Sequence, residues 1–291
     1  MVTRVFEALG TRFSITLFEN EEGADSHLIL NTCEEMVHAF DARYSRFNPD
    51  SFVSSLSRTV GRVEVEEELV SMLRLYQELN QATQGKINPC IGFSLEDIGY
   101  DAAYSLVPKE VVRTTPSFAS ALTIEDDTHI SLHKKVLLDL GALGKGFIVD
   151  RVYDYVRSQS VARFLVDGSG DIRYFDEAMN PITCGLEHPR DTTQAIGTLA
   201  LTGGALCASA TNRRAWHGYN HYLDPERGVS PTDIVAVWVT AETAALADGL
   251  SSALFFVAPE SLNEFSFEYL IVNRGMGIKK STGFAADLFS S

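Results

Sequence analysis

Carboxylates, hydroxyls and one histidine beside glycine-rich turns are where this chain has the means for chemistry. From residue 136 it reads V-L-L-D-L-G-A-L-G-K-G-F, and from residue 164 F-L-V-D-G-S-G-D-I. Asp139 and Asp167 stand next to these glycines, where backbone N–H groups can closely approach an anion or a metal-bound phosphate. Such loops suit a nucleotide-like ligand. The glycine order matches neither common phosphate motif: Gly141, Gly144, Lys145 and Gly146 give G-x-x-G-K-G rather than GxxxxGK[ST], and the G-x-G-x-x-G order is reversed. The loop alone therefore leaves two readings open, a ligand loop or a tight strand-to-helix connection whose glycines serve packing.

Asp248 and Ser252 are four apart in an apolar helical stretch, so their oxygens share one face. No Lys or Arg lies within one turn of Asp248 in the sequence, and a buried unpaired carboxylate is costly, which favours a metal ligand over an ion-paired helix residue. Carboxylate, hydroxyl, carbonyl and phosphate oxygens are the hard donors that magnesium takes. Ser252 alone is less informative, because serines in apolar helices bond back to the preceding turn. His221 heads H-Y-L-D-P-E-R-G-V-S-P. A histidine near its ordinary pKa can receive a hydroxyl proton, and the structural alternative is that it orders the following turn. Asp224 would orient that turn, with Pro225 and Gly228 forming it. Lys145 is either a point charge for phosphate or a solvated or paired lysine at a helix start. Phe47 and Tyr100 are candidates for stacking on a ring or for the core. His188, His217 and the remaining histidines show no ligand spacing.

The elements that must position these groups follow from periodicity. Residues 13–18 alternate as a half-buried strand. Leu30, Cys33, Val37, Phe40 and Tyr44 form the stripe of an amphipathic helix that should end near Pro49. A second helix carries Leu69, Met72, Leu73, Tyr76 and Leu79 and stops near Gly85. The central segment reads as a strand over residues 136–140, a glycine turn, a helix from Lys145 and a strand over 164–166. Residues 105–135 read as turns and short strands, 182–186 and 197–202 as strands, and 211–219 as loop. Residues 234–239 suit a strand buried on both faces, and 243–257 a largely buried helix. A hairpin around Arg274 and Gly275 and a terminal tail complete the chain.

Composition bounds the partners. The chain has 291 residues, 45% of them hydrophobic, enough for one large core or two closely packed subdomains. Its 24 Lys and Arg against 39 Asp and Glu give a formal charge of -15, which opposes nucleic acid and anionic membranes. An anionic ligand then needs a local cation. The cysteines, Cys33, Cys90, Cys184 and Cys207, are far apart, which indicates neither a zinc site nor a disulfide framework. With no apolar leader, lipid-attachment cysteine or membrane-length run, a cytoplasmic location is expected.

Four separated segments, A-L-G-T at Ala8, S-R-F-N-P-D-S at Ser45, the central D-L-G-A-L-G-K-G-F with V-D-G-S-G-D-I, and H-Y-L-D-P-E-R-G-V-S-P followed by A-D-G-L-S-S-A-L-F, together resemble the ApbE-type FAD:protein FMN transferases. Order and spacing agree over nearly the whole chain. The resemblance implies an α+β, ApbE-like fold of mixed sheets with flanking helices in two intimately packed subdomains, as one unit over residues 1–291, with the FAD cleft between the N-terminal helices and the central glycine loops. It implies magnesium-dependent transfer of the FMN half of FAD to a Thr or Ser hydroxyl of an acceptor protein, with release of AMP. In this family's pattern His221 is the catalytic histidine, and Leu9, Phe47, Asn88, Pro89, Cys90 and Asp139 fall on FAD-contacting positions. Ala142, through its carbonyl, Asp248 and Ser252 fall on the metal positions. The chain departs from the pattern at Asn88 and Cys90, where the family has aspartate and threonine, at Ala210, where it has glycine, and at Ser252, where threonine is usual. Two alternatives stay open: hydrolysis of FAD to FMN and AMP, and FAD binding without catalysis.

Overall fold

A continuous hydrogen-bonded platform holds the two halves of the chain together in the computed structural model, which describes residues 1–19, 26–212 and 214–289. Strands β1 (Val2–Ala8) and β2 (Thr11–Glu19) form a hairpin, followed by helix α1 (Ser26–Tyr44) and the short α2 (Phe52–Leu56). Strand β3 (Gly61–Glu64), helices α3 (Glu67–Ala82), α4 (Gly92–Asp97) and α5 (Phe118–Ala121), and strands β4 (Leu122–Ile124) and β5 (His129–Leu132) come next. Helix α6 (Gly144–Ser158) leads to β6 (Arg163–Asp167), β7 (Asp171–Asp176), β8 (Ile182–His188), β9 (Asp191–Leu201) and β10 (Ala205–Ala210). After β11 (Ala215–Trp216) and β12 (Tyr219–Asn220) come β13 (Ile234–Ala241), helix α7 (Ala244–Ala253), β14 (Phe267–Asn273), β15 (Ile278–Lys280) and β16 (Ala286–Leu288).

The main sheet has eight strands in the order β1-β2-β6-β7-β10-β13-β14-β15, every neighbouring pair antiparallel. Alternation decides its faces. In β2, Phe13, Ile15 and Leu17 point into a core shared with α1, α3, α6 and α7. In β13, Val237 and Val239 join that same core, while Ala236 and Trp238 point the other way. This opposite face packs on a second sheet, β16-β9-β8, through Tyr174, Leu206, Leu270 and Val272 against Leu186, Leu199, Leu201 and Phe284. The result is helices, sheet and second sheet in layers, the α+β arrangement expected from the sequence.

Three expectations are corrected. Residues 136–140 are not a strand: Leu137 O accepts from Gly92 N at 3.0 Å and Asp139 N donates to Pro89 O at 2.7 Å. The segment runs so close to α4 that a Cβ on Gly92 would meet Leu137 O at 2.4 Å, and its apolar run is explained by burial rather than by a ladder. The terminal tail contains β16, which pairs with β9 from Ala286↔Leu199 to Leu288↔Gly197. Residues 211–219 are not all loop, because Ala215 and Trp216 pair with Asn220 and Tyr219.

Strand β10 had no counterpart in the periodicity. Its sequence, A-L-C-A-S-A, is poor in the residues that favour strands. Small side chains are what this position needs, since α7 packs directly across it and Cys207 Sγ reaches Ala244 O at 3.4 Å. The crossing of α6 over α7 is equally tight. A Cβ on Gly146 would lie 2.2 Å from Ala244 O. Gly146→Ala must therefore push the two helices apart, and we expect a loss of about 1–3 kcal/mol of stability, read as a lower urea midpoint with an unchanged m-value.

Candidate active site

A cavity of about 730 Å³ opens between α1, Tyr76 of α3, the 86–88 segment, the 139–145 loop, β10 and the segment around His221. Leu9, Phe47, Asn88, Asp139, Ala142, His221, Asp248 and Ser252 all line it, so most of the expected site residues converge from segments far apart in sequence. Pro89 and Cys90 do not line it. They are buried in the short 3-10 turn Pro89–Ile91, where Pro89 O holds Asp139 N.

The floor is built by mutual support. Tyr76, fully buried on α3, donates from Oη to Asp139 O at 3.3 Å and accepts from Ala142 N at 3.2 Å, which fixes the loop that carries the Ala142 carbonyl. Ser252 Oγ donates to that carbonyl at 3.3 Å. Asp248 Oδ2, one turn earlier on α7, accepts from Gly146 N at 3.1 Å. Asp139 accepts from Gly141 N at 2.9 Å and pairs with Arg46, whose side chain is 2% exposed. Arg46 lies over the rings of Phe47 and Tyr100, at 4.1 and 4.9 Å. Phe47 in turn packs on Tyr100 and Tyr104, each with ring centroids 5.2 Å apart, so one side of the cavity is aromatic.

Asp248 is not the unpaired carboxylate expected from its own helix. Lys145, from the start of α6, stands 3.8 Å from Asp248 Oδ1 and pairs directly with Asp171. The cation comes from another element, α6, and so lies outside the one turn of α7 in which a local partner would stand. Burial alone would lower the Lys145 pKa, but the carboxylates of Asp171 and Asp248 outweigh it and hold the ammonium charged. Burial, followed by the Asp171 charge, pushes Asp248 up against the pull of Lys145. Two buried carboxyl groups share one ammonium, so Asp248 favours holding a proton or a second cation, and Asp171 Oδ1 has no hydrogen-bond partner. Among the described residues no group of three or more His, Cys, Asp and Glu could hold a metal ion. The mixed set of Ala142 O, Ser252 Oγ and the Asp248 carboxyl is nevertheless all oxygen and lines one cavity, a donor set that fits a hard divalent cation.

His221 sits on the cavity wall against Tyr222, ring centroids 4.1 Å apart, with Nδ1 buried and unpartnered. Desolvation, then the charges of Arg214 and Lys145, lowers its pKa to about 3. It is therefore a neutral imidazole near pH 7, not a histidine at its ordinary value. The following turn has the expected form: Asp224 Oδ1 accepts from Glu226 N and Arg227 N, and Lys86 pairs with its carboxylate at 2.9 Å. Asn88 is satisfied as an amide, accepting from Cys90 N and donating to Pro116 O, both at 3.0 Å. An ionised aspartate here would lack that donor. The serine of the Ser209-Ala210 pair is tied to α7 through Ser251 Oγ at 2.7 Å. Tyr76, Asp171 and Arg214 were not singled out from sequence. A tyrosine on the buried stripe of α3 is the one signal toward any of them, because its hydroxyl must find partners.

Fold and cavity together define an α+β protein whose deep cleft joins an oxygen-lined floor, an aromatic side and a neutral histidine. Residues 9–269 match the model of the ApbE family, and the chain belongs to that family. It is 23% identical to a Vibrio cholerae protein named FAD:protein FMN transferase, over 87% of this chain and 80% of that one. It is 26% identical to a Klebsiella pneumoniae protein of the same name, over 94% of this chain and 85% of the relative. The fold is similar to the crystal structure of an ApbE protein from Thermotoga maritima, with a TM-score of 0.87 at 24% identity over 97% of both chains. The Flavin Transferase ApbE from Vibrio cholerae aligns with a TM-score of 0.80 at 20% identity, again over 97% of both chains.

The low pKa of His221 has a consequence for stability. The unfolded chain takes up a proton at His221 as pH falls through about 6.5, and the native chain does not until about 3. Stability contributed by the neutral native imidazole is thus fully present above 6.5 and is lost as pH drops below it, by at most about 1.4 kcal/mol per pH unit. His221→Asn should flatten the change in denaturation midpoint between pH 7 and pH 5 relative to the unsubstituted protein.

Proposed function

We propose that this protein moves the FMN half of FAD onto a Thr or Ser hydroxyl of an acceptor protein and releases AMP. The observation that carries the reading is the placement of neutral His221 and the Ala142, Asp248 and Ser252 oxygens around one cavity. The family and the shared name of its relatives support the substrate. The acceptor hydroxyl attacks the phosphorus of the FMN phosphate, the bond from that phosphorus to the bridging oxygen breaks, and AMP departs with that oxygen. The proton of the hydroxyl goes to His221. Ala142 O, Ser252 Oγ and Asp248 would hold magnesium. When bound, that ion neutralises charge on the pyrophosphate oxygens.

A base with a pKa of about 3 accepts a proton poorly at neutral pH. The negative pyrophosphate, once bound beside the ring, stabilises the imidazolium and raises that value. The ligand thereby sets up the base that its own reaction uses. Binding of FAD and base strength are coupled, which limits proton transfer in the empty cleft.

The reading is tested by incubating the protein with FAD, magnesium and an acceptor domain, then measuring AMP and the intact mass of the acceptor. AMP with an FMN-sized gain on a hydroxyl residue is expected. AMP with an unchanged acceptor known to be a flavinylation substrate would turn the reading to hydrolysis, and bound FAD with neither product would leave a binding protein. His221→Ala should lower turnover by about 100-fold or more while FAD still binds. The acid limb of kcat should also lie at higher pH than that of kcat/KM, since only the first reports the loaded cleft.

A further inference from the structure

Four basic side chains line the cavity: Arg46, Lys86, Lys145 and Arg214. Three are matched to carboxylates, Arg46 to Asp139, Lys86 to Asp224 and Glu226, and Lys145 to Asp171. Arg214 is different. Among the described residues no carboxylate pairs with it, and it is held by a neutral group, Tyr100 Oη, which accepts from Nη1 at 2.9 Å. Its Nη2 lies toward the Gly10 turn on the cavity wall. In a chain with 39 acidic residues against 24 basic ones, a guanidinium left uncompensated in a ligand cleft is a standing site for an anion. Its neighbourhood says which anion. Arg214 and His221 line the same cavity, and after burial the Arg214 charge is one of those that oppose protonation of the ring.

We propose that Arg214 binds the FMN phosphate of FAD, holding the attacked phosphorus beside His221 and balancing charge that builds on its oxygens. This rests on the transferase reading above. Lys145 and the metal-type oxygens stand on the floor with Asp248, whereas Arg214 hangs from Tyr100 on the aromatic side. The diphosphate is therefore gripped from two directions. A guanidinium offers parallel N–H donors in a fixed plane, so it orients the phosphate as well as attracting it. Tyr100 fixes that plane, because with Nη1 engaged the group cannot rotate freely and Nη2 remains for the ligand. Arg214 is then the residue that separates phosphorylated flavins from the bare ring system.

The test compares FAD, FMN and riboflavin, which carries the ring without phosphate, by fluorescence titration in the absence of metal. Arg214→Gln should weaken FAD and FMN about ten- to a hundredfold, the range for a hydrogen bond to a charged group, and leave riboflavin unchanged. Arg214→Lys should restore part of the loss. Equal weakening of all three flavins would show that Arg214 only props the aromatic side, and unchanged FAD binding would show that it touches no phosphate. Either result overturns the proposal. Tyr100→Phe keeps the ring and removes the hydroxyl, so it should weaken FAD relative to riboflavin even if Arg214→Gln folds poorly. Failure of the unsubstituted protein to bind FAD would overturn the transferase reading along with this one, which keeps the two failures apart.

Discussion

The contact on which the structure most depends is the buried meeting of Lys145 with Asp171 and Asp248. It joins the first turn of α6, the first residue of β7 and the middle of α7, three elements that no local sequence signal connects. Removing one member of such a cluster leaves a buried charge without its partner, a loss on the order of 3–5 kcal/mol. The fold accepts the arrangement because neighbouring backbone groups share the charge, Gly146 N bonding Asp248 directly. It also holds the helix start in place from the other side. Asp150, further along α6, accepts from Ala244 N and Ala245 N at 2.8 Å each and pairs with Arg173 at 2.5 Å. The N-terminus of α7 is thus pinned to α6 by a carboxylate placed where a helix dipole favours negative charge.

Legibility in the sequence follows the range over which each signal acts. The stripes of α1 and α3, the alternation of β2 and the doubly buried run of β13 were all visible, because burial imposes a period that a window of ten residues captures. The cavity residues were legible for another reason. Leu9, Phe47, Asp139, His221 and Asp248 lie in segments that resemble one family in order and spacing, and the cavity they share is a property of the whole chain. Spacing along one helix did place Asp248 and Ser252 on a common face, and they do share the floor.

Contacts supplied by a distant part of the chain left the weakest local signal. Residues 136–140 are apolar enough for a strand, yet their partners are a turn and α4, and apolarity records burial without naming what covers it. Strand β10 hid behind alanine and serine because close helix packing overrode strand propensity. Asp248 looked unpaired because Lys145 is about a hundred positions away, and β16 looked like a tail because the strand that recruits it is β9. Pro89 and Cys90 fall on the ligand loop by their motif; they are buried without lining the cavity, and the Pro89 carbonyl holds Asp139. A motif fixes a backbone shape, and which of its side chains reach the cavity depends on how that shape is seated.

Charge explains why the cleft is built this way in so acidic a chain. A formal charge of -15 repels a dianion at long range, but at physiological ionic strength that repulsion is screened over about 8 Å. Inside the cavity the balance is set by contact. Lys86, Arg46 and Lys145 are each fixed by carboxylates, so they shape the wall while contributing little free positive charge. That leaves the oxygen-lined floor with donors that suit a divalent cation, and Arg214 as the basic side chain that no carboxylate among the described residues pairs with. Burial first, and then the charges of Arg214 and Lys145, keep His221 deprotonated near pH 7. On the proposed reading, one set of charges in the cleft would select the ligand, place it and tune the base beside it, and filling the cleft is what would bring those charges into balance.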